Sequence, residues 1–152
     1  MNFKTFLGTL ALTTALAIPA IADEDPAIAA RQGQFKLFSH NFGVVGGMAQ
    51  GRIDYDAAMA QTAADNLFHL TRVNQTRLWP EGTDAQSAER TRALPAIWDD
   101  LDDFVAKFAA LQGAVENLQS VAGSGLDELR AGVGQVGQAC QACHEVYRAE
   151  SS

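Results

Sequence analysis

Leu126–Tyr147 reads LDELRAGVGQVGQACQACHEVY. Leu126, Leu129, Val133, Val136, Cys140, Cys143 and Tyr147 recur at alternating three- and four-residue steps, which lays one apolar stripe along an α-helix. Both of the chain's cysteines fall inside that stripe. Gly132, Gly134 and Gly137 weaken the helix, each by about 1 kcal/mol relative to alanine. Packing or a bound group must offset the loss, and small residues let something bulky approach the backbone.

Upstream, the link VAGSG separates this segment from a second strong period, Ile97, Leu101, Phe104, Phe108, Leu111, Val115 and Leu118, which Pro95 is placed to open. Asn74 to Arg92 holds Pro80, Gly82, Thr83, Asp84 and Ser87 with no sustained period, so it reads as a long connection that Leu78 and Trp79 pin to the core. Before it, Ala60, Ala63, Leu67 and Leu70 mark a helix capped by Asp54 and fading near Asn74. Earlier still, Asp25-Pro26 is a cap followed by proline at the first helical position, and Ile28, Phe35, Phe38, Phe42 and Val45 form a stripe that Gly51 ends. Strand signals and internal repeats are nearly absent. Four amphipathic helices, three joined by short links, predict an all-α antiparallel four-helix bundle with the cysteine-bearing helix last.

The first residues contain Lys4, an apolar run from Phe6 to Ile18 and the small-residue pattern Ala20-Ile21-Ala22. This predicts a cleaved signal peptide over residues 1–22, too short an apolar run for a membrane span, and export to the periplasm. The remainder, 23–152, is long enough for one domain with a real core. Removing Lys4 takes the formal charge from −7 to −8. Nucleic acid, anionic membrane surfaces and membrane insertion are therefore not expected; ordinary solvated helix faces account for the acids, and contact with a basic protein is the other use for them.

Four chemistries use Cys140-x-x-Cys143-His144. A redox dithiol belongs at a helix start, where the dipole depresses a thiol pKa, and this motif lies near a helix end. Zinc needs two further ligands, and the other histidines, His40 and His69, fall on different helices. A disulfide at i, i+3 on a helix is geometrically poor. Covalent haem meets each requirement: two thiols one turn apart for two vinyl groups, an imidazole beside them for the iron, and export to the compartment where such haem is attached. The phenylalanine-rich stripes and small residues suit a pocket for a flat apolar macrocycle, although a plain aromatic core uses the same residues.

Along the whole chain after residue 22 the sequence resembles the cytochrome c′ family. The resemblance runs through Arg31-Gln32-x-x-Phe35-Lys36, Asn41-Phe42-Gly43, Gly51, Tyr55-Asp56-Ala57-Ala58, Pro80-x-Gly82-Thr83, Ile97-Trp98-x-Asp100 and Cys140-x-x-Cys143-His144-x-x-Tyr147-Arg148. It implies one covalently attached haem c per chain, with His144 on the iron and no catalytic residues. Low-spin relatives of the c-556 type place a methionine on the first helix as sixth ligand, and Phe35 stands at that position here. Phenylalanine has no lone pair, so the resemblance implies five-coordinate iron capped by a ring. Of other donors, His40 and Met48 each lie about 140° around the helix from Phe35, and His69 about 120° from Ala63; all three are expected to face away, with Met59 as core filler.

Arg148, four residues after His144, is expected beside the proximal imidazole, where its charge opposes imidazolate character; its plainer role is a solvated last-turn cation. Arg31 is assigned a haem propionate, or else a surface salt bridge. Trp98 and Phe104 are expected to include a porphyrin contact or to pack as core. The function expected is binding of nitric oxide and carbon monoxide, electron carriage with an unknown redox partner, or both, in a homodimer paired through the first two helices. A six-coordinate low-spin electron carrier of the c-556 type is the alternative. Enzymatic turnover is not expected, because no acid or base is visible on the distal face.

Overall fold

The computed structural model describes residues 25–150, and the predicted signal peptide lies outside them. Five helices occur among these residues: α1 (Pro26–Ala49), α2 (Ala57–Thr71), α3 (Ala96–Asp99), α4 (Leu101–Val121) and α5 (Leu126–Tyr147). The four long ones form an antiparallel bundle in the order α1, α2, α4, α5, and hydrogen bonds record the register. Gln34 donates to Leu70 O and Asn66 to Asn41. Gln61 donates to Gln119 O and Gln112 to Thr71 O. Asn117 donates to Gln135, and Arg130 closes the ring on Ala49 O.

Local chemistry sets the helix ends. Asp25 accepts from Ala27 N ahead of Pro26, as its sequence predicts. Gly51 leaves α1 at φ +70°, a conformation that favours glycine. The cap of α2 is Asp56, not Asp54: its carboxylate accepts from Met59 N at 2.7 Å. The largest departure is the segment opened at Pro95. Asp100 swings out to φ −139°, ψ 71° and its carboxylate caps a new helix at Asp103 N, so a short α3 precedes α4. The phase slips at this break, which leaves Leu101, expected in the stripe, 50% exposed.

The main core joins all four long helices through Phe38, Val45, Met48, Ala60, Leu67, Leu111, Val115, Leu118, Leu129 and Val136. Gly132 permits the close crossing of α4 and α5: a Cβ there meets Leu118 Cδ1 at 2.9 Å and Leu118 Cα at 3.1 Å. Gly132→Val is expected to lower stability by about 2 kcal/mol through overpacking, read as a fall in the thermal midpoint. A second, smaller cluster of Ala93, Ile97, Phe104 and Tyr147 lies where α3, α4 and the end of α5 meet, with Trp79, Trp98 and Cys143 packed against it. The 72–95 connection crosses this end of the bundle, beyond the short α2.

Candidate haem-binding site

The last two turns of α5 bring Cys140 and Cys143 to one face and put His144 next to them. Cys140 packs against the main core and Cys143 against the second cluster, so the two thiols straddle the seam between them. Both are free and half-buried. Burial pushes both thiols up; at Cys143 the Lys107 ammonium opposes this, with Asp103 adding to it. A dithiol exchange catalyst requires the reverse shift. Among the described residues, no group of three or more His, Cys, Asp or Glu is placed to hold a metal ion.

On the same side of α5, Gly137 precedes His144 by seven residues, and a Cβ built on it meets nothing within 4 Å. The space beside Gly137 is therefore open, and on the far side of the motif Trp79, Trp98 and Cys143 pack against the cluster that holds Phe104. Phe35 sits half-buried on α1, one turn after buried Arg31 and three residues before buried Phe38. His40 and His69 are exposed, and Met48 is sealed in the main core. Met59, expected as core filler, is instead 51% exposed in the first turn of α2, where its backbone N–H is capped by Asp56.

The His144 pKa is lowered, first by partial burial and then by the guanidinium groups of Arg148 and Arg92. The shift favours the neutral imidazole, the form in which a histidine ligates a metal. Arg148 Nη1 lies 3.4 Å from Nδ1, which leaves Nε2 facing away from the arginine. Arg148 itself is extended, ending α5 within a turn of the histidine. A strap explains that ending: Ala93 pairs with Arg148 in an isolated β-bridge, Leu94 N donates to Tyr147 O, and Ala149 N donates to Arg92 O. The Arg92 guanidinium returns a bond to Ala149 O. Arg92 and the strap were not legible in the sequence, since a two-residue bridge has no period.

Tyr147, 4% exposed, donates to Asp103 Oδ2 at 2.7 Å. This bond, more than desolvation or the surrounding charge, pushes the phenol from 10 up to about 12. A raised phenol pKa favours the protonated form in the fold, so its stabilisation is complete below pH 10 and lost as pH rises toward 12. Alkaline unfolding of the wild type is expected to steepen across that window, and Tyr147→Phe to flatten it.

Arg31 departs from the surface salt bridge given as its plainer role: it is 3% exposed, it pairs with no carboxylate among the described residues, and both terminal nitrogens are directed at the connection. Nη1 donates to Leu78 O and Thr83 Oγ1, Nη2 to Thr83 O and Thr91 Oγ1, and the guanidinium stacks 4.8 Å from the Trp79 ring centroid. Desolvation lowers its pKa, with Asp25 opposing. Trp79 pins the connection as expected, whereas Leu78 contributes mainly its carbonyl.

The donor set therefore fits a porphyrin: two thiols one turn apart across a seam, an imidazole beside them whose neutral form is favoured, and aromatic rings packed next to Cys143. Fold and site together define a c-type haem protein of the four-helix-bundle class. The family model described as Cytochrome C′ matches residues 26–148, and the chain belongs to that family. Its members carry covalently attached haem c, and so does this protein. The chain is 41% identical to a cytochrome c′ of Cereibacter sphaeroides over 142 residues, covering 91% of this chain and 95% of that one. It is 40% identical to a cytochrome c-554 of the same organism over 147 residues, covering 93% and 96%. A solved cytochrome c′ from Rhodobacter sphaeroides superposes with TM-score 0.82 at 41% identity, covering 86% of this chain and all of that one. Solved Alcaligenes xylosoxidans cytochrome c′ variants, 31% and 32% identical, are described with bound nitric oxide and carbon monoxide; their TM-scores are 0.70 and 0.73, and they cover 82% and 85% of this chain and 94% and 98% of their own.

Proposed function

We propose that Cys140 and Cys143 carry the two thioether links, that His144 Nε2 ligates the iron, and that the opposite face is left open beneath Phe35. The protein then binds nitric oxide and carbon monoxide, as its solved relatives do, and passes single electrons with a redox partner. The haem supplies the redox couple and the gas-binding metal; the chain supplies selection. The Phe35 ring must swing aside for a diatomic ligand to enter, and Arg148, by facing Nδ1, weakens the histidine as an electron donor. Trp98, packed against the cluster that Cys143 also borders, would line the Cys143 side of a bound haem. Arg31 positions the connection with both terminal nitrogens, and its Nε–H is the donor that would remain for a propionate.

The observation that carries this reading is the half-buried Phe35 ring on the side of α1 that also carries buried Arg31 and Phe38, with His40, His69 and Met59 exposed and Met48 locked into the main core. The same observation weighs against a methionine-ligated carrier of the c-556 type, despite the similarity to a cytochrome c-554. High-spin or spin-mixed ferric iron in electron paramagnetic resonance is the expected result, and a purely low-spin spectrum overturns it. Phe35→Ala is expected to speed carbon monoxide binding, on the order of tenfold for about 1.4 kcal/mol of barrier removed; an unchanged rate means the ring is not the gate.

The proposal places the protein in the periplasm after loss of residues 1–22, acting by binding and carriage with no catalytic turnover. No described helix is long and apolar enough to cross a membrane. Homodimerisation through α1 and α2 is part of the reading, supported by a shallow groove of Leu37, Asn41, Asn66, His69, Leu70 and Val73 on that face. Sedimentation at several concentrations tests it.

A further inference from the structure

Tyr147 follows Cys143 by four residues, so the phenol stacks one turn beyond a proposed haem-attachment point on the same face. Its ring packs edge-on against Phe104, with centroids 5.4 Å apart, and Phe104 packs likewise against Trp79 at 4.9 Å. Trp79 is half-buried in the connection, its indole N–H donating to Gln75 at 3.3 Å. The phenolic proton already points at a carboxylate oxygen, 2.7 Å away, that Lys107 Nζ approaches to 3.5 Å. A buried tyrosine bonded to a base, in contact with a cofactor site and joined by aromatic rings to the surface, is built for one-electron oxidation.

We infer that Tyr147 and Asp103 form a redox-active pair that returns an electron to the haem after a peroxide has oxidised it, with Phe104 and Trp79 leading the oxidising equivalent outward. This rests on the open-site reading above. A bound haem would supply the oxidising equivalents: hydrogen peroxide would accept two electrons there and, with two protons from solvent, end as two waters once both equivalents have been refilled. Tyr147 then gives one electron back toward the haem, its proton passes along the hydrogen bond to Asp103 Oδ2, and a neutral tyrosyl radical remains. The other oxidising equivalent stays on the haem until an external one-electron donor removes it. An electron from Trp79, with the proton returned from Asp103 Oδ2, restores the phenol, and an external one-electron donor at the surface reduces the oxidised indole. No turnover is required; the pair protects the site where no distal acid or base directs peroxide chemistry.

The chain holds two tyrosines, which makes the assignment clean. Tyr55 lies at the opposite end of the bundle and donates to Ala122 O, a peptide carbonyl that does not accept a proton. Ferric holoprotein mixed with hydrogen peroxide and frozen should show a tyrosyl signal in electron paramagnetic resonance, narrowed by ring-deuterated tyrosine. Tyr147→Phe, which keeps the packing, should abolish it, and Tyr55→Phe should leave it unchanged. Asp103→Asn keeps a hydrogen bond without a base and should slow radical formation on the order of a hundredfold, the low end for a positioned base. Trp79→Phe should lengthen the signal's lifetime. A signal that follows Tyr55, or high-spin haem that peroxide bleaches or leaves unchanged without a tyrosyl signal, overturns this inference alone. Colourless or purely low-spin protein removes the proposed function, and this inference with it.

Discussion

Phe35→Met should convert the ferric iron from high-spin to six-coordinate low-spin. The side chain sits on the inner face of α1 between Arg31 and Phe38, and methionine nearly preserves its volume while adding a thioether lone pair. Carbon monoxide must then displace that sulfur. A bond of about 3 kcal/mol lowers the apparent affinity on the order of a hundredfold, since each 1.4 kcal/mol is a factor of ten. Visible spectra and ligand titrations read the two effects separately. An unchanged spectrum means that Phe35 is not over the iron, and the alignment of α1 with the motif on α5 then fails.

Arg31→Met should cost about 3 kcal/mol of stability and lower the thermal midpoint by about 10 °C. Methionine fills much of the same space but donates nothing. Thr83 Oγ1, Thr91 Oγ1 and the carbonyls of Leu78 and Thr83 all lose a donor, and the first of these belongs to a buried residue. Removing a buried cation also relieves its desolvation, which lowers the Arg31 pKa in the wild type, so the net loss is smaller than four broken bonds suggest. Limited proteolysis should find new cleavage within 72–95 while the four long helices keep their circular dichroism. Stability equal to the wild type means that the connection is held by Trp79 packing alone.

These two arginine and phenylalanine positions show how differently sequence and structure inform. The face of Phe35 was legible because the first-helix stripe depends only on residues within a few turns, and the structure places it half-buried on the side of buried Arg31 and Phe38. Arg31 was legible as a residue of interest but not in its contacts, because its partners lie 47 to 60 positions away in a segment without period. The break at Asp100 was likewise hidden. Both Pro95 and Asp100 are good helix starters, and Ile97 and Leu101 kept the period across the junction; only the backbone turn, with the Tyr147 hydroxyl 3.4 Å from Asp100 O, separates α3 from α4.

By itself the sequence determined the four long helices, their antiparallel order and the α5 motif, because each depends on residues within a few turns of one another. Only the tertiary structure decided that the two thiols bridge a seam between clusters, that Arg92 joins Arg148 in acting on His144, and that Arg31 clasps the connection. Those arrangements depend on hydrogen bonds and charges that meet across the fold, and chain spacing carries no record of which distant polar groups will share a buried site.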